Sequence, residues 1–404
     1  MKTKLLYIFI GLGAQPLLGN DIFMHQGPWV RASGGAYQTE SRTAATVLHN
    51  PSRLSNAKSH GYVDLGLGNF QYKFKPMDED YQEGAIKIPA LPLISTGFSY
   101  RPFTKWTVGA VFIPLGLPGR QEKVDDFPIT TGGDLSNADL TLEQTSYKLA
   151  TGLSYRFSKA LKLGIGVTQH TNATKTTISD PETGEEVMAL TLNSKDLSPT
   201  LGLSGAMGKL RWGFSHTRPT YEKYTITASE SGNPDETAKG QSYRAATYSA
   251  GASYRFNRII KGFGQYTLER WAPGSDSSTM PVTKITLGSL GTDFKDTDNM
   301  VLGAKFILPR QRSIYVSYAQ FGANKGYGWY NEEGETIYEG VGLRDFEAMN
   351  RQHFTAGYAG KFQGQRLASY LSYINASATA PSGTPSEGDY NLRLILLGSG
   401  IVFD

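Results

Sequence analysis

The chain has no cysteine among its 404 residues. That absence excludes a disulfide scaffold, thiolate zinc and iron–sulfur sites, a cysteine nucleophile and a lipid-modified N-terminal cysteine. Charge is scarce as well: 19% of residues are Asp, Glu, Lys or Arg, against about 25% in an ordinary globular chain. The 40 Lys and Arg nearly cancel the 36 Asp and Glu, so no strong field of one sign points to nucleic acid or to an acidic partner. No apolar run reaches the roughly 18 residues that a membrane-spanning helix needs. A closed membrane barrel stays open, because its strands alternate and read as hydrophilic on average. What the chain has in plenty is Gly (46) and Tyr (23).

Residues 1–19 have the layout of a secretory signal peptide. Lys2 and Lys4 form the charged region, Leu5 to Ala14 the apolar one, and Leu17-Leu18-Gly19 offers a small residue for cleavage. A buried helix is the alternative, but Gly11, Gly13 and Pro16 are poor helix-interior residues. The expectation is an exported protein.

Beyond the signal the clear period is two. Tyr147, Leu149, Thr151, Leu153, Tyr155 and Phe157 share one face, against Ser146, Lys148, Ala150, Gly152, Ser154 and Arg156. The same pattern recurs over 161–168, 247–256 and 353–362, with one face apolar and ending in aromatics. It predicts about fourteen strands: 62–74, 92–102, 106–116, 145–157, 160–178, 187–205, 208–218, 243–256, 260–271, 297–308, 312–323, 350–361, 366–378 and 389–403. Short links such as Ser158-Lys159, Asn257-Arg258 and Pro309-Arg310-Gln311 alternate with long polar ones at 117–144, 219–242, 272–296 and 324–349. That asymmetry is the habit of outer-membrane barrels, with tight periplasmic turns and long outer loops. A soluble sandwich also alternates, but does not require every second link to be long, nor aromatics beside the short turns. In the last strand Leu392, Leu394 and Leu396 share one face while Ile401 and Phe403 take the other parity. A bulge at Gly398-Ser399-Gly400 is expected to restore the face.

Residues 20–60 fit no strand. Ala32-Ser33-Gly34-Gly35-Ala36-Tyr37 leads to Ala44-Ala45-Thr46-Val47-Leu48-His49-Asn50-Pro51-Ser52-Arg53-Leu54. This stretch resembles the N-terminus of the FadL (OmpP1/TodX) family of outer-membrane transporters, with its glycine/alanine-rich run followed by Asn-Pro-Ala. Here Asn50 and Pro51 match and Ser52 departs by one hydroxyl. Leu91-Pro92-Leu93-Ile94, Trp106 to Gly116, Gly213-Phe214-Ser215-His216-Thr217-Arg218, Tyr266 to Trp271, Phe294 to Thr297 and Val301 to Ala304 are similar to later strands of the family, in its order. The resemblance implies an all-β transmembrane antiparallel β-barrel with an N-terminal plug in the lumen. Its parts would be a signal peptide (1–19), a plug (20–60) and a barrel (61–404) in the bacterial outer membrane. It implies passive uptake of hydrophobic small molecules such as long-chain fatty acids, with release through an inward kink of the third strand. Outer-membrane lipid, lipopolysaccharide and the barrel-assembly machinery would be its partners, and no cofactor is implied. Asp404 follows Phe403 where such barrels end on the aromatic itself, which bears on recognition by that machinery.

Particular residues carry the chemistry. Pro114 removes a ladder hydrogen bond inside a strand, and with Gly116 it predicts broken pairing in strand three, a candidate lateral exit. The plainer alternative is that the strand ends there. Asn50-Pro51 forms a turn fit to hold the plug. Ile113, Leu115, Leu117 and Phe127-Pro128-Ile129 offer an apolar patch at the loop entrance. For an anionic headgroup, inward bases are natural anchors: Lys148, His170 and Arg393 by strand parity, with Arg31, Arg42 and Arg53 on the plug. Such bases also pair with one another. Enzyme signals are thin: none of the six His stands in a His-x-Ser arrangement. The acidic runs at 180–186 and 293–298 lack EF-hand spacing, so no metal site is expected. The rival readings are an aromatic-hydrocarbon channel, a docking barrel that binds a protein through its loops, and a barrel hydrolase.

Overall fold

The computed structural model describes residues 27–41, 43–57, 60–76, 84–116, 121–131, 134–230, 235–270, 289–292, 296–322, 327–330, 336–340, 350–380 and 388–403. The proposed signal peptide lies outside them. Seventeen strand segments form one antiparallel sheet. They are β1 (His60–Pro76), β2 (Gly84–Phe103), β3 (Trp106–Gly116), β4 (Gln121–Thr131), β5 (Asp134–Arg156), β6 (Lys162–Ser179) and β7 (Glu186–Met207), then β8 (Leu210–Thr217), β9 (Thr220–Glu230), β10 (Glu236–Arg244), β11 (Ala246–Arg255) and β12 (Ile260–Arg270). β14 (Thr297–Leu308), β15 (Arg312–Phe321), β18 (Asn350–Phe362), β19 (Gln365–Ala380) and β20 (Gly388–Phe403) complete it. β13 (Ser289–Thr292), β16 (Tyr327–Tyr330) and β17 (Thr336–Gly340) make a separate small sheet.

Three pairs of segments are each one stave with a break. β3 and β4 both pair with β5. β8 and β9 both pair with β7, across Arg218-Pro219. β10 pairs with β9 and β11 with β8, across Ala245. The ring therefore has fourteen staves, closed by β1 against β20 from Gly61↔Phe403 to Pro76↔Gly388.

Burial tells a barrel from a sandwich. Phe98 is 58% exposed while its neighbour Ser99 is 3% exposed. Leu149, Leu201, Leu302, Val316, Leu371 and Ile395 are likewise exposed, and Ser154, Ser204, Gln265, Ser317 and Ser372 are buried. Apolar outside and polar inside suits lipid around a polar lumen, the inverse of a soluble fold.

Two expectations fail in an instructive way. The links at 117–144 and 219–242 are not loops, because β4, the first half of β5, β9 and β10 run through them. These segments lack the sustained apolar/polar alternation that marks the other staves. β20 holds no bulge either: its register with β1 runs unbroken through Gly398, Ser399 and Gly400. Leu392, Leu394 and Leu396 instead face the lumen, buried, while Ile395, Leu397, Ile401 and Phe403 are exposed. The glycines make room, since a Cβ on Gly400 would overlap Pro28 and one on Gly398 would overlap the Tyr370 hydroxyl.

Candidate functional site

The N-terminal segment supplies the interior. α1 (Pro28–Ala32) begins on a proline, whose missing N–H costs nothing at a helix start. α2 (Tyr37–Glu40) and 3-10 turns at Ala44–Leu48 and Pro51–Asn56 follow. Nearly all described residues from 27 to 57 are buried, and their side chains reach staves around the ring.

Three sets of contacts fasten it. Arg31 donates to the Tyr370 hydroxyl on β19 (2.5 Å) and lies 3.4 Å from the Asp64 carboxylate on β1. Glu40 forms ion pairs with Lys261 on β12 and with Lys305 on β14, the latter at 3.9 Å. Asn50 Nδ2 donates towards Gln38 Oε1 (2.5 Å) and the carbonyls of Leu203 and Phe214 (3.2 Å each), while Asn50 Oδ1 accepts from Ser52 Oγ at 2.6 Å. Gln38 in turn donates to Ser215 Oγ at 2.6 Å. The Ser52 hydroxyl also lies 2.8 Å from Ser204 Oγ, a bond that alanine could not make. A Cβ on Gly164 would collide with the Ser52 backbone, and one on Gly202 with the Asn50 amide. Lumen-facing glycines thus let the segment lie directly against the wall.

The expected site residues divide. Arg31 and Arg53 are fasteners: Arg53 donates to the Thr39 carbonyl at 2.6 Å, inside the segment. Arg42 lies outside the described residues. Lys148 and His170 do face the lumen, opposite one another on β5 and β6, and His170 stands opposite Asp196 of β7. They form a Lys–His–Asp row across three staves, with the Asp196 carboxylate accepting from Ser198 Oγ at 3.2 Å. Arg393 does not join them. It shares the exposed parity of Ile395 and Leu397, because the assumed bulge in β20 is absent.

Parity alone would have found the bases that the sequence reading passed over. Arg351 and His353, opposite the lipid-facing Phe354, are buried beside the Phe321 ring at 5.2 and 4.6 Å. Arg101 donates to the carbonyls of Ser55 (2.7 Å) and Ala57 (2.9 Å), holding the end of the N-terminal segment. At the 180–186 tip, Asp180 accepts the backbone N–H groups of Glu182 (2.8 Å) and Thr183 (2.9 Å), which hold its pKa below the ordinary value. That carboxylate caps a turn.

The wall opens at β3. β2 and β3 pair from Phe103↔Trp106 only as far as Thr96↔Phe112. From Ser95 to Gly84, β2 is bonded to β1 alone among the described residues, while β3 stays with β5 through a register shift between Pro114 and Gly116. Pro89 and Pro92 of β2 flank the gap on one side and Pro114 on the other. Proline has no N–H to leave unpaired, so these three lower the cost of an unzipped edge. The apolar cluster behind it includes Leu54, Tyr62, Val111, Ile113, Leu394 and Leu396.

Solved structures with this architecture include transporters and channels. The Pseudomonas putida toluene transporter TodX superimposes with a TM-score of 0.62 at 13% identity, over 95% of this chain and 99% of that one. The fold is that of the TodX-type barrel. A Pseudomonas aeruginosa FadL homologue gives 0.65 at 10% identity (94% and 98% covered), and the CymD monoaromatic hydrocarbon channel 0.56 at 12% (94% and 98%). No protein-family model and no curated protein matches the sequence.

One titration follows from the N-terminal segment. His49 is half-buried, its ring 4.6 Å from Tyr37. Burial, and then the Lys148 charge, lower its pKa to about 3. With the free-chain value near 6.5, the undocked segment takes up a proton that the docked one refuses. Docking is therefore unaffected above that value and weakens as pH falls below it, by about 1.4 kcal/mol per pH unit. Protease access to the segment in the full-length protein is expected to rise between pH 7 and pH 5, and His49→Phe to flatten that dependence.

Proposed function

We propose that the chain is a passive outer-membrane channel for hydrophobic small molecules, closed by residues 20–60 acting as a plug. Ligand enters from the outer loops, crosses the apolar part of the lumen and leaves sideways between β2 and β3. The observation that carries the reading is the one-sided gap in the ladder beside β3, bordered by prolines and backed by buried apolar residues. An open edge is tolerated at membrane depth only where it lines a cavity. The proposed division is a cleaved signal at 1–19, a plug at 20–60 and a barrel at 61–404.

Long-chain fatty acids are the leading substrate, with the carboxylate drawn to Lys148 and His170 in the lumen. Uptake of monoaromatic hydrocarbons is the second reading, favoured by what TodX and CymD are named for. Uptake of labelled oleate and of toluene by cells lacking their own transporter tests both. Lys148→Met is expected to weaken oleate uptake about tenfold, the loss of one charge-assisted hydrogen bond, and to leave toluene uptake unchanged. Transport of toluene alone would decide for the second reading, and transport of neither would overturn the proposal.

A further inference from the structure

The six tight turns have an uneven charge that transport does not use. They join β2–β3, β5–β6, β7–β8, β11–β12, β14–β15 and β18–β19. With its strand flanks, each carries two or three Lys or Arg, and none carries Asp or Glu. The chain as a whole is nearly neutral, so an even spread would put carboxylates there too. Exposed carboxylates of the described hairpins lie at the other end, as in Glu182, Glu185 and Glu186 of the β6–β7 hairpin, while Glu40 and Asp64 are buried in the lumen. At least one exposed base stands on each turn or beside it: Lys105, Lys159, Lys209, Arg258, Arg310 and Lys361, with Arg211, Arg255 and Arg312 also exposed on the flanking strands. None of these forms an ion pair among the described residues.

Their depth identifies the ligand. Exposed Phe103, Phe157, Phe256, Met207 and Ile259 sit within a few residues of those bases. Large rings and aliphatic side chains at a barrel rim mark the lipid–water boundary. Long cationic side chains one step beyond it reach headgroup phosphates. We propose that this end of the barrel is a ring-shaped binding surface for anionic phospholipid headgroups of the periplasmic leaflet. Every hairpin at this end carries at least one such base, which fits an annulus of lipid. A single acidic protein would instead call for a concentrated patch on one side. The proposal rests on the outer-membrane placement given above, with the tight turns periplasmic.

The full-length protein in nanodiscs of phosphatidylethanolamine and phosphatidylglycerol, analysed for the lipid it retains on extraction, tests the ring. Phosphatidylglycerol is expected to be enriched over the bulk ratio by about fivefold, the effect of one cation at a surface, and to lose that enrichment at high salt. The variant K105Q/K159Q/K209Q/R258Q/R310Q/K361Q is expected to lose most of that enrichment. E182Q/E185Q/E186Q should behave as wild type. Retention at the bulk ratio by the wild type overturns the proposal, as does enrichment that survives the six substitutions. If that variant fails to fold, the salt series on the wild type decides alone. Labelling of Glu182→Cys and Gln365→Cys in whole cells keeps the two readings apart. Label at 182 only supports the orientation, and label at 365 from outside overturns it, and with it the choice of leaflet.

Discussion

Tethering β2 to β3 across the break is expected to reduce uptake to the level of cells without the channel. If their ladder continued past Thr96↔Phe112, Ile94 would stand opposite Pro114. Both have the outward parity of Phe98 and Phe112, so Ile94→Cys and Pro114→Cys place two thiols on the lipid side of the gap. The chain has no other cysteine, and a short bis-methanethiosulfonate reagent would react there alone. Uptake should fall on cross-linking and return on reduction. Thr151→Cys with Val167→Cys, paired in the intact β5–β6 ladder, should cross-link without effect. The physical reason is that a hydrophobic ligand gains nothing by entering the aqueous periplasm, whereas a sideways step keeps it among apolar groups. Uptake that persists with the tether in place would mean that ligand leaves by another route.

The lipid-facing parts were legible in the sequence, because there the bilayer and the lumen impose opposite demands on alternate residues. Staves such as β6, β12 and β14 could be placed to within a few residues. Pro114 and Gly116 announced the break in β3 for a local reason, the missing N–H. Other parts were silent because no such pair of demands acts on them. β9 and β10 read as loop, since their sequences carry no sustained apolar face. β20 was read inside out: three leucines looked lipid-facing, but this lumen is itself apolar on that side. The error carried Arg393 to the wrong face. The fastenings of the N-terminal segment join residues far apart in sequence, as Arg31 to Asp64 and Tyr370 or Glu40 to Lys261 and Lys305. Motif order can suggest a plug, but only the closed ring brings those partners together.

Those fastenings give a second large effect. Arg31 and Asp64 are 1% and 0% exposed. Arg31→Met leaves the Asp64 carboxylate buried without its cation, which costs about 3–5 kcal/mol. That is a large share of what holds a short segment to a wall. The expected result is a protein that still forms the barrel but conducts small ions and sugars in a planar bilayer, where the parent is expected to stay closed. Arg31→Met combined with Asp64→Leu removes both charges, and replacing a buried pair by apolar side chains is often close to neutral. The double variant should therefore conduct far less than the single one, and Asp64→Leu alone should leak because Arg31 is then stranded. Simple loss of packing predicts the reverse order, with the double variant the leakiest. Equal conductance in all four proteins would show that residues 27–57 do not close the lumen, whatever their burial.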